Sequence, residues 1–159
     1  MTHVFSHSEG LRIACEMEKR GEAFYRRAAK LTTSDAAHAL LVSLAEDECR
    51  HLREFERLYQ RCLADGNQNE PYDDETNAYL SAVAADIVFP GGLMAVRRGF
   101  DSPDAVLEYA IQSEKDSVLF YTELAMRSRN ADSRDIFSEI ARQERHHMMR
   151  LQERRMQEA

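Results

Sequence analysis

The feature that most constrains this chain is an internal match at an offset of 96 residues. Without a gap, Ala14, Glu18 and Lys19 fall on Ala110, Glu114 and Lys115, Phe24-Tyr25 falls on Phe120-Tyr121, and Ala29 falls on Ala125. Ala45, Glu48 and His51 fall in the same way on Ala141, Glu144 and His147. In both copies the second glutamate follows the first by 30 residues. Self-similarity of this kind means one supersecondary unit used twice, here packed about a pseudo-two-fold axis.

The apolar pattern makes that unit a helical hairpin. Residues recur at three and four, the period of a helix face. A first helix over about Ser8 to Leu31 carries Ala14, Glu18, Gly21, Tyr25 and Ala28, and Ser6 with Glu9 forms a capping box before it. A second, about Asp35 to Leu63, carries Ala37, Leu41, Leu44, Glu48, His51, Phe55, Tyr59 and Cys62. A third opens at Asp101-Ser102-Pro103, where proline suits the first helical position, and carries Leu107, Ala110, Glu114, Ser117, Tyr121 and Ala125. A fourth, from near Asp132, carries Phe137, Ile140, Glu144, His147 and Leu151. Short links within each pair make antiparallel neighbours. The repeats cover about residues 10–63 and 103–155. A crossover of about 64–101 joins them and holds a short helix near Glu75 to Val88, then a break at Phe89-Pro90-Gly91-Gly92. The expected fold is an all-α four-helix bundle of two duplicated hairpins in a single domain, 1–159. Its one long crossover is the ferritin-like connection. The apolar stretch Ile87 to Val96 is a candidate lid or dimer contact.

Four glutamates and two histidines lie on these otherwise apolar stripes. A buried carboxylate without compensation costs several kcal/mol or takes up a proton, and four at one level of a bundle repel one another. Two divalent cations would balance four carboxylates. The Glu-x-x-His spacing puts carboxylate and imidazole one turn apart on one face, and a lone Glu from each other helix completes a carboxylate-bridged two-metal pattern. Such a ligand set suits iron or manganese, and less often zinc. With 17 Glu and six His in 159 residues, chance supplies fewer than one Glu-x-x-His, and the chain has two at matched places. A plain salt-bridge layer, or a duplicated site that has lost its metal, is the alternative.

Composition removes other classes. A net charge of −7 argues against a phosphate-backbone binder and against a polybasic membrane-surface protein. The segment Tyr79 to Val96 is broken by Asp86, Pro90, Gly91 and Gly92, so no membrane span is expected. The start, MTHVFSHSEG, has no basic and then apolar run of a signal peptide. Cys15, Cys49 and Cys62 form no C-x-x-C pair, which speaks against a disulfide framework and fits a reducing cytoplasm.

The motifs Glu18-x2-Gly21-x2-Phe24-Tyr25, Ala45-Glu46-Asp47-Glu48-x2-His51, Glu114-x5-Phe120-Tyr121 and Ala141-x2-Glu144-x2-His147 resemble the rubrerythrin-like members of the ferritin-like superfamily. The resemblance spans both hairpins. It implies a di-iron centre held by Glu18, Glu48, His51, Glu114, Glu144 and His147, with Glu48 and Glu144 bridging and Glu18 and Glu114 terminal. It implies a di-iron oxidoreductase that reduces hydrogen peroxide in oxidative-stress defence, with dioxygen as the other candidate oxidant, and a homodimer. A ferroxidase or iron-storage protein, or a non-catalytic metal-binding scaffold, is the alternative. The chain departs from the family in two respects. It lacks the four cysteines of a rubredoxin module, so electrons would come from a separate donor, rubredoxin-like or other. The family's additional glutamate on the third helix falls here at Ser117, next to Asp116.

Tyr25 and Tyr121 stand two turns after Glu18 and Glu114, either as hydrogen-bond donors to ligand carboxylates or as plain core aromatics. His3, His7, His38 and His146 are expected at the surface, and Cys49 in side packing. Met126, Met148 and Met149 are expected in core or interface, and Arg142, Arg145, Arg150, Arg154 and Arg155 on a solvated helix face.

Overall fold

In the computed structural model, residues 5–66, 71–88 and 102–159 are described, with 83–88 described in backbone only. Among these residues five helices follow in order: α1 (His7–Leu31), α2 (Asp35–Ala64), α3 (Asp74–Val88), α4 (Pro103–Arg127) and α5 (Ala131–Glu158). Each start of the four long helices has a local cause. Ser6 accepts from the backbone N–H of Glu9 while the Glu9 carboxylate accepts from the Ser6 N–H, the reciprocal pair that the sequence announces. Ser34, Ser102 and Asn130 cap α2, α4 and α5 in the same sense, and Pro103 opens α4. Each such cap contributes about 1 kcal/mol by satisfying an N–H that the helix leaves over.

α1 packs along α2, and α4 along α5, as two hairpins. The hairpins meet through α2 against α5 and α1 against α4. The short α3 lies against α1 and α4. It is tied there by the buried Leu80 and by Asn77, whose Oδ1 accepts from the Phe5 N–H at 2.6 Å. The break at residues 89–92 and most of the apolar stretch 87–96 lie outside the described residues, as does His3. Among the described residues no helix is long and apolar enough to cross a membrane.

The apolar core is divided in two. One part gathers Leu11, Phe55, Leu58, Phe120, Leu124, Phe137 and Ile140. The other gathers Phe24, Ala28, Leu41, Leu44, Leu107, Ile111 and Leu151. In each long helix the buried acidic position falls between the residues given to the two parts, at Glu18, Glu48, Glu114 and Glu144. The hydrophobic contacts therefore hold the bundle closed above and below a polar layer that could not hold itself.

Candidate metal centre

Glu18, Glu48, His51, Glu114, Glu144 and His147 are all brought together, and none is more than 6% exposed. They form two overlapping groups of four. Glu18, Glu48, His51 and Glu144 offer ligand atoms that all lie within 4.8 Å of one another, and so do Glu48, Glu114, Glu144 and His147. Bonds of about 2.1 Å to one ion separate its ligand atoms by up to about 4.2 Å, so each group is close to the size of one coordination sphere. Glu48 and Glu144 belong to both groups, which is the geometry of shared carboxylates.

Both imidazoles aim Nδ1 inward. His51 Nδ1 lies 2.9 Å from Glu144 Oε1 and 3.5 Å from Glu18 Oε2. His147 Nδ1 lies 3.1 Å from Glu144 Oε2 and 3.3 Å from Glu48 Oε1. The two rings are near parallel, 5.6 Å apart at their centroids. On the far side, each Nε2–H donates outward, His51 to Gln143 Oε1 at 2.8 Å and His147 to Asp47 Oδ2 at 3.0 Å. Those bonds fix the tautomer that leaves an Nδ1 lone pair for an ion.

Four atoms facing the centre, Glu18 Oε2, Glu48 Oε1, His51 Nδ1 and Glu144 Oε1, are buried without a properly directed hydrogen bond. Unsatisfied polar atoms are rare in folded interiors and costly. Their convergence on one small volume, from a carboxylate and imidazole donor set, is what an ion pair of divalent metals would relieve.

The electrostatics of the layer tell the same story. Burial, with the charge of Glu144 beside them, raises Glu18 and pushes Glu48 and Glu114 well up. Burial alone would lower both histidines, but the hydrogen-bonding carboxylates outweigh it. Glu144 and Glu18 carry His51 up to about 10, and Glu114, Glu144 and Glu48 carry His147 up to about 12. Glu144 alone goes down, because the Glu114 carboxyl and His147 bonding it and the charge of His51 facing it overcome its burial. The carboxylates thus favour positive charge in this layer, as protons or as cations.

The two tyrosines reach across the bundle. The Tyr25 hydroxyl donates to Glu114 Oε1 and the Tyr121 hydroxyl to Glu18 Oε1. Each tyrosine, on the first helix of its own hairpin, therefore bonds the glutamate of the other repeat. The rings pack as well as bond: Tyr121 lies on Phe55 with ring centroids 5.0 Å apart.

Gly21 has a use that the sequence does not disclose. A Cβ there would collide with Glu48 Oε2 and lie 3.2 Å from Glu48 Cδ. Its counterpart in the second repeat is Ser117, half-buried. Asp116 is exposed and accepts from Gln112 at 3.0 Å, so it does not replace the family's additional glutamate. Asp47 and Gln143 are the other functional positions that the sequence stripe passes over. No local spacing signals them, because each serves the histidine of the opposite hairpin. His146 and His38 are exposed, and Cys49 is half-buried. Met126 and Met149 are 66% and 52% exposed, so they lie outside the core; Met148 packs against it. Cys15, Cys49 and Cys62 are not joined in disulfides.

Residues 105–157, which are nearly all of α4 and α5, match the rubrerythrin family model. Among solved structures, the whole chain superposes on the whole of a protein from Thermotoga maritima with a TM-score of 0.74 at 24% identity. That protein is described as a ferritin-like diiron-carboxylate protein. The fold is ferritin-like. No match is found among curated proteins.

Proposed function

We propose that this ferritin-like chain binds two iron ions between its hairpins and uses them as a peroxide-reducing oxidoreductase. The observation that carries the reading is the pair of overlapping four-ligand groups sharing Glu48 and Glu144, with unsatisfied buried atoms pointing into them. The rubrerythrin match over α4 and α5 supports the assignment to iron. Glu18 and His51 would hold one ion, Glu114 and His147 the other, with Glu48 and Glu144 common to both. Bound there, two ferrous ions supply the two electrons that, with two protons, convert hydrogen peroxide to two waters.

The chain's own residues set the conditions. Two apolar clusters exclude bulk water from above and below the layer. Tyr25 and Tyr121 hold one oxygen each of Glu114 and Glu18, leaving the other oxygen for the ion. Gln143 and Asp47 keep the imidazoles turned inward. Re-reduction falls to a separate electron donor protein, and the working unit is a homodimer in the cytoplasm.

Anaerobic loading with Fe(II), followed by stopped-flow mixing with hydrogen peroxide or with dioxygen, tests this. Two irons per chain with oxidation faster by peroxide than by dioxygen supports it. Comparable dioxygen reactivity with many irons per chain supports a storage or ferroxidase role instead. Absence of stoichiometric iron, with Glu48→Ala and His147→Ala leaving metal-dependent stability unchanged, overturns both.

A further inference from the structure

The six candidate ligands repeat one for one between the two halves of the centre, but the acceptors behind the two histidines do not. Asp47 and Gln143 occupy the same place in the two repeats, one residue before the shared glutamates Glu48 and Glu144. Each receives the outer Nε2–H of the histidine on the opposite hairpin. One acceptor is a carboxylate and the other a neutral amide.

The surroundings reinforce the difference. The Gln143 Nε2 donates to Glu139 Oε1 at 2.8 Å, which fixes its Oε1 toward His51. Any carboxylate on the His51 side is therefore one residue further out, and Glu139 is itself bound to Arg142 at 2.6 Å. The Asp47 carboxylate touches His147 directly, with Arg50 and Arg150 on its outer side, Arg150 at 3.9 Å. A carboxylate partner raises the basicity of a metal-ligating imidazole more than an amide does, and such partners change metal affinity by about 10–100-fold.

Resting on the two-metal reading above, we infer that the two metal positions are inequivalent, with the position of His147 the tighter and Asp47 and Gln143 setting the order. Asp47 and Gln143 are positioning residues that act through the imidazoles. Sharing Glu48 and Glu144 makes the second ion bind more weakly in any case, since it meets the charge of the first. That contribution is common to all the variants below and cancels when they are compared.

Cobalt(II) titration against a competing chelator, followed by visible absorption, gives the stoichiometry and the two stepwise affinities. Wild type should take two ions per chain in two resolved steps. Asp47→Asn keeps a hydrogen-bond acceptor and removes the charge; it should weaken the first step about 10–100-fold and leave the second nearly unchanged. Gln143→Glu should tighten the second step and leave the first nearly unchanged. Each single variant thus narrows the ratio of the two affinities, and the exchange Asp47→Asn with Gln143→Glu should restore it. Circular dichroism of the metal-free proteins checks that each variant folds alike. Two ions in wild type with ratios unmoved within twofold by either single variant overturns the inference alone. Equal weakening of both steps by Asp47→Asn overturns it as well, since that is a general loss of structure. Failure of wild type to bind two ions overturns the two-metal reading and the inference with it.

Discussion

Replacing Tyr121 by phenylalanine removes one oxygen from the most enclosed part of the molecule. Tyr121 is fully buried, and its ring packs on Phe55 and Phe137 with centroids 5.0 and 6.3 Å away. Phenylalanine keeps that ring, so no cavity of consequence opens and the packing contribution is retained. What is lost is the hydroxyl that donates to Glu18 Oε1. Glu18 Oε2 already lacks a directed partner, so both oxygens of a buried carboxyl are then left without one. A hydrogen bond to such a group contributes about 1.5–3 kcal/mol. For a chain of this size, about 2 kcal/mol corresponds to a fall in melting temperature of about 4–8 °C. The assay is thermal unfolding of the metal-free protein by circular dichroism, with Tyr121→Leu alongside to report the added cost of losing the ring. Loading with divalent metal should recover part of the loss, because an ion occupies the carboxyl that the hydroxyl left. A shift under about 1 °C for Tyr121→Phe in the metal-free protein would refute the placement of that hydroxyl as a buried donor.

The remaining expectations concern the layer as a whole. Gly21→Ala adds up to about 1 kcal/mol of helix propensity, but its methyl must displace the buried Glu48 side chain, so it should weaken metal binding and leave the metal-free protein no more stable; melting curves with and without metal separate the two effects. Glu144→Ala removes a ligand common to both groups, and should abolish binding of both ions rather than one, as counted by metal analysis after dialysis. The histidine shifts fix a pH dependence. With folded values of about 10 and 12 above an ordinary 6.5, their stabilisation of the metal-free protein is complete below about pH 6.5 and is lost as pH rises through 10, and the raised Glu18, Glu48 and Glu114 act in the same direction. The metal-free melting temperature should therefore decline on the alkaline side while the loaded protein holds, and loading should release protons that a pH indicator detects in weak buffer.

The bundle was legible because its information is local and periodic. Ser6 with Glu9, Pro103 after Ser102, and apolar residues at three and four place the helices to within a residue or so, and a ligand set that repeats at a fixed offset stands out against its apolar neighbours. Asp47 and Gln143 were not legible in that way. They sit half-exposed beside the stripe, and their partners are 100 and 92 residues away on the opposite hairpin, set by how the hairpins cross. The purpose of Gly21 depends on where the Glu48 side chain lies, which no pattern in the α1 sequence encodes. Met126 and Met149 show the converse: a methionine carries no sign of which side of a helix will meet a neighbour.

The crossing of the tyrosines has a bearing on ancestry. Because Tyr25 serves Glu114 and Tyr121 serves Glu18, neither hairpin holds a finished half of the centre; each completes the other. A single hairpin pairing with a copy of itself would supply the same crossing and the same four glutamates by symmetry alone. Such a dimer would be compelled to carry identical residues at both matched positions. Joining the copies in one chain lifts that compulsion, and beside the centre Asp47 opposite Gln143 and Gly21 opposite Ser117 are two places where this chain has used the freedom.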